Sequence, residues 1–180
     1  GQRFKDEGYQ TTKFKIGGSG ADFSQDIRRL EKARRALGDD FGIAVDANQA
    51  WDAKTAFAFA KEAAPFGVAW LEEPVHAYDM DALRELRDLL DNAGIVMEIA
   101  MGESVRSYHT HVAYAQHGVD HLQPARLCCI AENMRVREYA RQHGCRISTG
   151  GFTFQNAALG ALYSEDELLE YHQPLNEVLV

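Results

Sequence analysis

The sequence predicts an α/β fold, a (β/α)8 barrel of the TIM type with about seven βα units present. Two observations carry that prediction. Short β-type runs recur along the 180 residues, each giving way to a helix-patterned stretch. No Gly-rich dinucleotide turn marks the series, so a barrel suits it better than a doubly wound sheet. A full barrel needs eight strands and typically about 250 residues. The expectation is therefore a single partial barrel domain over residues 1–180. It begins where a first βα unit should be ending and stops just after a last strand.

The elements follow in order. TTKFKIG (11–17) opens as a strand, and DFSQDIRRLEKARRAL (22–37) carries apolar residues at three-to-four spacing, the mark of a helix. FGIAVDAN (41–48) is the next strand, followed by an alanine-rich helix over roughly 53–64. VAWLEEP (68–74) reads as a buried strand, with a helix over roughly 79–91. IVMEIAMGE (95–103) and VDHLQP (119–124) are the fourth and fifth runs. AENMRVREYARQHG (131–144) is helical and closes on a Gly suited to a helix C-cap. CRISTGG (145–151) and LLEYHQP (168–174) complete the series.

The composition, 46% hydrophobic and 26% charged, is that of a soluble globular chain with apolar mass for one sizeable core. No apolar run reaches the length of a membrane span, and GQRFKDEGYQ is not a signal peptide. A net charge of −8 argues against nucleic acid and against an anionic membrane surface as partners. Cys128, Cys129 and Cys145 are odd in number and lack metal-ligand spacing. They point to a reducing, cytoplasmic setting, with neither a disulfide framework nor a zinc site. Cys128 and Cys129 read as small, half-buried residues of a tight turn.

In a barrel, function sits at the C-terminal ends of the strands. There three consecutive strands place Asp46 (VDAN), Glu72 (LEEP) and Glu103 (MGES). One acid after a strand is ordinarily a turn residue or a helix N-cap. Three in succession point to a shared task. Converging carboxylates repel unless a divalent cation sits between them, and hard oxygen donors favour Mg²⁺ over zinc. Glu73 would support Glu72 or bond a neighbouring strand. Lys13 and Lys15 lie two apart, so strand alternation points both to one side. Either alone reads as a snorkelling surface lysine. Facing a carboxylate cluster, their mutual repulsion and a nearby metal would favour a neutral amine, a plausible general base.

Lys-x-Lys, VDANQAW, WLEEP, GES and LQP, in that order and spacing, resemble the enolase superfamily, specifically the barrel domain of its mandelate racemase/muconate lactonizing enzyme-like group. The likeness runs from about residue 8 to 174. It implies that Asp46, Glu72 and Glu103 hold one Mg²⁺, that Lys15 is the base with Lys13 beside it, and that Asn48 lies close to the metal. It implies a shared step, abstraction of the proton α to a carboxylate with the enediolate stabilised on Mg²⁺. It also implies a separate N-terminal domain that closes the barrel mouth, for which this chain has no counterpart.

The sequence departs from that pattern at two strand ends. Members with two-sided chemistry carry an Asp after LQP and a His ending the next strand; here stand Ala125 and Gly150. His109, His111, His117, His121 and His143 fall where solvated or structural histidines are the rule. His172, near the last strand end, is kept as a candidate substrate-side residue, and His76 as a lesser one. Racemisation or epimerisation, which needs groups on both faces of the α-carbon, is thereby disfavoured. In that family cycloisomerisation uses a second lysine on the strand that here ends LQP, and no lysine follows Lys61. Arg126 stays protonated and is no base. What survives is one-sided loss of a β-hydroxyl, the dehydration of a sugar acid, a small carboxylate substrate. Two other readings stand beside it: a non-catalytic, metal-binding relative that lost the Asp–His dyad, and a truncated barrel fragment. Self-association into a homo-oligomer would relieve the exposed edges of an unclosed sheet.

Overall fold

The computed structural model describes residues 2–125, 128–150 and 153–171, and these fall into two compact units, one up to Ile99 and one from Ala100 onward. Each is built from parallel strands joined through helices. None of the described helices is long and apolar enough to cross a membrane.

The first unit opens with α1 (Gln2–Asp6) and β1 (Thr11–Lys15). It continues through α2 (Ser24–Leu37), β2 (Gly42–Asp46), α3 (Ala53–Ala63), β3 (Val68–Glu72) and α4 (Met80–Asn92). The strands lie where the β-type runs predict them, trimmed by a residue or two at each end, the least determinate part of any element. β1 pairs with β2, and β2 with β3, all parallel. Ile43, Ala44 and Val45 of β2 are fully buried, as the middle strand of a sheet covered on both faces requires. Gly42 leaves room for the Thr11 side chain of β1: a Cβ there would stand 3.0 Å from the Thr11 Cβ.

The helices bury their periodic apolar faces. α4 places Leu83, Leu86 and Leu90 at 0% exposure, each worth about 1.5–3 kcal/mol by burial. α3 contributes Ala56, Phe59, Ala60 and Ala63. Asp52 caps α3, accepting the Thr55 N–H, and Asp79 caps α4 through the Ala82 N–H. Arg34, near the end of α2, donates to the carbonyls of Phe41, Phe66 and Gly67, among others. One guanidinium thus ties together two loop segments, a task its fixed fork of donors suits.

β4 (Glu98–Met101) ends in the second unit, where Ala100 and Met101 pair with β5 (His121–Leu122). β5 pairs with β6 (Arg146–Thr149), and β6 with β7 (Leu168–Leu169), again parallel. The helices are α5 (Tyr108–Gln116), α6 (Ile130–His143) and α7 (Thr153–Gly160). α6 ends as predicted: Gly144 adopts φ +70° and donates its N–H to Ala140. Asn133 of α6 is fully buried, donates to the Pro124 carbonyl at 2.7 Å and accepts from the Tyr163 hydroxyl at 2.6 Å. These bonds tie α6 to the segment after β5.

Candidate active site

Register builds the site in the first unit. Lys15 stands opposite Asp46 across β1 and β2, and Asp46 opposite Glu72 across β2 and β3. Three charged residues therefore end three adjacent strands at one level. A shift in register between Ile43 and Ala44 brings Glu72 into that line.

Asp46 and Glu72 are 0% and 1% exposed. An oxygen of one lies within 4.8 Å of an oxygen of the other. Buried carboxylates at that separation demand positive charge. The two lysines of β1 supply it. Lys13 Nζ donates to Glu72 Oε1 at 2.5 Å and lies 3.7 Å from Asp46 Oδ2. Lys15 Nζ donates to Asp46 Oδ2. Alternation along β1 does aim both amines one way, yet their surroundings differ. The Lys13 side chain is 14% exposed, whereas that of Lys15 is 58% exposed. Lys13 is the buried counter-charge; Lys15 keeps its head in reach of solvent and of a small molecule.

Neutral donors complete the carboxylates' shells. The Trp70 indole N–H donates to Glu72 Oε2 at 3.2 Å, and the Asn48 backbone N–H to Asp46 Oδ1 at 2.9 Å. Asn48 thus reaches Asp46 through its main chain. Glu73 is also buried, at 1%, and accepts from Gln49 Nε2 at 3.2 Å. Asn48, Gln49 and Glu73 have φ of +44°, +65° and +40°. A side-chain-bearing residue in that region costs about 1–2 kcal/mol, and such backbone gathers at functional sites.

Behind Lys15, the Arg29 guanidinium donates to the Lys15 carbonyl at 2.7 Å and to Asp26 Oδ1 at 3.0 Å. Asp26 in turn accepts the Gly17 N–H at 3.0 Å. The strand end that carries Lys15 is held by α2. Trp51 packs edge-on against Phe23 and donates its indole N–H to Gly20, fixing the loop after β1. Sequence reasoning passes over Trp70, Gln49, Asp26 and Arg29. Gln49 and Trp70 lie inside the quoted motifs, which was the available signal.

In the second unit Glu103 follows β4 and is half-buried. Gly102 before it adopts φ +148°, and a Cβ there would stand 2.6 Å from the Gln123 carbonyl oxygen. Only glycine fits so close an approach. Ala125 is buried at 6% exposure. At Gly150 a Cβ would run into the Glu170 side chain, so a carboxylate fills the space a side chain would take. His121 is fully buried against the Ser148 hydroxyl at 2.8 Å, and His111 is buried with Nδ1 on the Ser107 carbonyl at 2.9 Å. Both are structural histidines. Cys128 is buried and Cys129 exposed. His76 is exposed, in the loop after β3, and His172 lies outside the described residues.

An α/β fold with parallel strands that end in buried acids, both paired with lysines of the first strand, is the arrangement of an enolase-type barrel. Residues 1–178 match the family model described as Enolase C-terminal domain-like, and the chain belongs to that family. It is 32% identical over 175 residues to L-talarate/galactarate dehydratase of Salmonella typhimurium, covering 96% of this chain and 42% of that protein. It is 33% identical over 144 residues to D-galactarolactone cycloisomerase of Agrobacterium fabrum, covering 78% of this chain and 36% of that protein. The crystal structure of L-talarate dehydratase from Polaromonas sp. JS666, complexed with Mg and L-glucarate, superposes with a TM-score of 0.81 at 28% identity. That match covers 97% of this chain and 46% of the other. The fold class is thus the predicted one, α/β of the incomplete TIM-barrel type, with seven strands among the described residues. The chain spans less than half the length of these relatives.

The residues of the first unit fit a hard divalent cation on their own chemistry. Asp46 and Glu72 offer oxygen donors only, and both are buried.

Proposed function

We propose that this chain is the barrel part of a Mg²⁺-dependent lyase that removes the proton α to a carboxylate, and that its substrate is a sugar acid which it dehydrates. The observation that carries this reading is the pair of buried acids, Asp46 and Glu72, at adjacent strand ends, each bonded to a lysine of β1. Membership of the family and likeness to two sugar-acid enzymes, one a dehydratase, support it.

Asp46, Glu72 and Glu103 would hold the Mg²⁺. When bound, the ion supplies fixed positive charge where the α-proton's departure leaves negative charge. Lys15, half in solvent, takes the α-proton on Nζ. Lys13 stays with Glu72 as a counter-charge and bounds the site. The electron pair left on the α-carbon forms a C=C bond as the β C–O bond breaks. Lys15 returns its proton to the departing hydroxide, so the products are water and an enol that tautomerises to a keto acid. Asn48 and Glu73 support the acids and touch no reacting atom. Gly150 supplies no second base of its own; dehydration needs only Lys15, whereas racemisation needs two groups.

The test is deuterium uptake from D₂O into galactarate and related sugar acids, with Mg²⁺ present. Exchange at the α-carbon that vanishes in Lys15→Ala, together with keto-acid formation, is the expected result. Tight Mn²⁺ binding without any exchange would instead establish a metal-binding, non-catalytic relative. Exchange that survives Lys15→Ala would remove Lys15 from its role.

A further inference from the structure

We infer that Gln49 and Glu73 form a positioning pair that locks the strand-end acids Asp46 and Glu72 at one level. The purpose of that lock rests on the function proposed above; its existence does not.

The two loops run side by side immediately beyond the acids. The Ala47 N–H donates to the Glu72 carbonyl at 3.0 Å, and the Trp51 N–H to the Pro74 carbonyl at 3.2 Å. Between them Gln49 makes three contacts with one loop. Its backbone N–H donates to the Glu73 carbonyl at 2.7 Å, its Nε2 to Glu73 Oε2 at 3.2 Å, and its Oε1 accepts the Ala77 N–H at 2.8 Å. Gln49 therefore grips the β3–α4 loop at both ends of a five-residue span.

Two features say that the grip serves more than packing. The first is backbone: both partners of the pair sit in the left-handed region, at +65° and +40°. Such conformations persist where the surroundings over-determine them. The second is charge. Glu73 is buried at 1%, where an apolar side chain would be cheaper to hold. A carboxylate there gives the Gln49 amide an acceptor that cannot turn into a donor, which fixes the amide's orientation and directs Oε1 to Ala77. Asp46 and Glu72 are like charges within 4.8 Å, and any loosening of the lysines that neutralise them would let repulsion splay their strand ends. The Gln49–Glu73 lacing opposes that splaying from just outside the sheet. Neither residue reaches a reacting atom; both act through the two acids.

The experiment compares the parent chain, Gln49→Glu, Glu73→Gln and the double exchange Gln49→Glu/Glu73→Gln. Each is read by Mn²⁺ titration under electron paramagnetic resonance, and by amide hydrogen exchange at Gln49 and Trp51 without metal. Gln49→Glu sets carboxylate against carboxylate. It is expected to weaken Mn²⁺ about tenfold or more, the range seen when the groups that hold a metal's ligands are lost, and to speed exchange at both amides. The double exchange restores an amide–carboxylate pair with the partners reversed, and is expected to recover both readouts in large part. Glu73→Gln keeps a hydrogen bond and a folded loop, so it stands in should Gln49→Glu not fold; faster exchange at Gln49 and Trp51 in it supports the lock. Parent-like exchange in both single variants, or no recovery in the double exchange, overturns the inference. Failure of the parent itself to bind Mn²⁺ would count against the proposed function, while the metal-free exchange would still decide the pairing.

Discussion

Replacing Lys13 by Met removes a charge and keeps an unbranched side chain of similar length. Lys13 Nζ lies 2.5 Å from Glu72 Oε1 and 3.7 Å from Asp46 Oδ2, and its side chain is only 14% exposed. At an effective dielectric of about 20 the closer contact alone has a gross attraction of about 7 kcal/mol. Most of that is offset by the desolvation of both ions. What remains when one partner of a buried pair is taken away is about 3–5 kcal/mol, because the other charge stays behind. Lys15→Met is the internal comparison. The Lys15 side chain is 58% exposed, so solvent screens its pairing with Asp46 and the loss should be about 1 kcal/mol or less. Urea unfolding followed by tryptophan fluorescence measures both. The expected result is a wide gap between two lysines on one strand. Adding Glu72→Gln to Lys13→Met should recover much of the loss, since no orphan charge then remains. Equal costs for the two lysines, or a Lys13→Met cost below about 1 kcal/mol, would refute the assignment of Lys13 as the buried counter-charge.

Further outcomes follow from the second unit. Burial holds the His111 imidazole below its ordinary 6.5, so His111 is neutral in the folded chain. That contribution to stability is present above about pH 6.5 and is lost as pH falls. His111→Gln should flatten the fall of unfolding free energy between about pH 6.5 and 5 by up to about 1.4 kcal/mol per pH unit. Burial, with Glu132 and Cys129 nearby, pushes the Cys128 thiol up to about 11. Mass-spectrometric mapping at pH 8 should find Cys129 alkylated well before Cys128. The same shift favours the folded chain below about pH 9, an advantage lost as pH rises through about 11. Gly150→Ala should cost about 1 kcal/mol or less, because the atom it meets is the far end of the flexible, half-buried Glu170 side chain, and Glu170→Ala in the same chain should remove that cost, as thermal unfolding of the single and double variants would show.

The strand ends were legible because a parallel strand announces itself by a short apolar run, and an acid just past such a run has few structural excuses. Lys13 and Lys15 were legible as a pair because side chains alternate along a strand. Their unequal burial was not, since it depends on how far each amine reaches past its neighbours. The role of Gln49 was hidden for a different reason. Its three bonds arise from left-handed backbone at Asn48, Gln49 and Glu73, none of them a glycine, so no residue type flagged the turn. α5 was implied only by the alternation of strand and helix and had no bounds, because YHTHVAYAQ carries no apolar stripe; His111 and Tyr114 are its buried residues. The loss of a side chain at Gly150 could be read, but not that Glu170 fills its place, since the two meet only through the pairing of β6 with β7.

The register shift between Ile43 and Ala44 gives the third strand two independent alignments. Below it Val68 answers to Ile43; above it Trp70, Leu71 and Glu72 answer to Ala44, Val45 and Asp46. Carried upward without the shift, the lower pairing would set Leu71 opposite Asp46 and turn Glu72 to the other face. Ala69 is the residue that absorbs the difference. The foot of the strand is therefore aligned separately from its tip, where Glu72 stays opposite Asp46. A deletion of Ala69 should be felt at the foot first and leave the two acids facing each other.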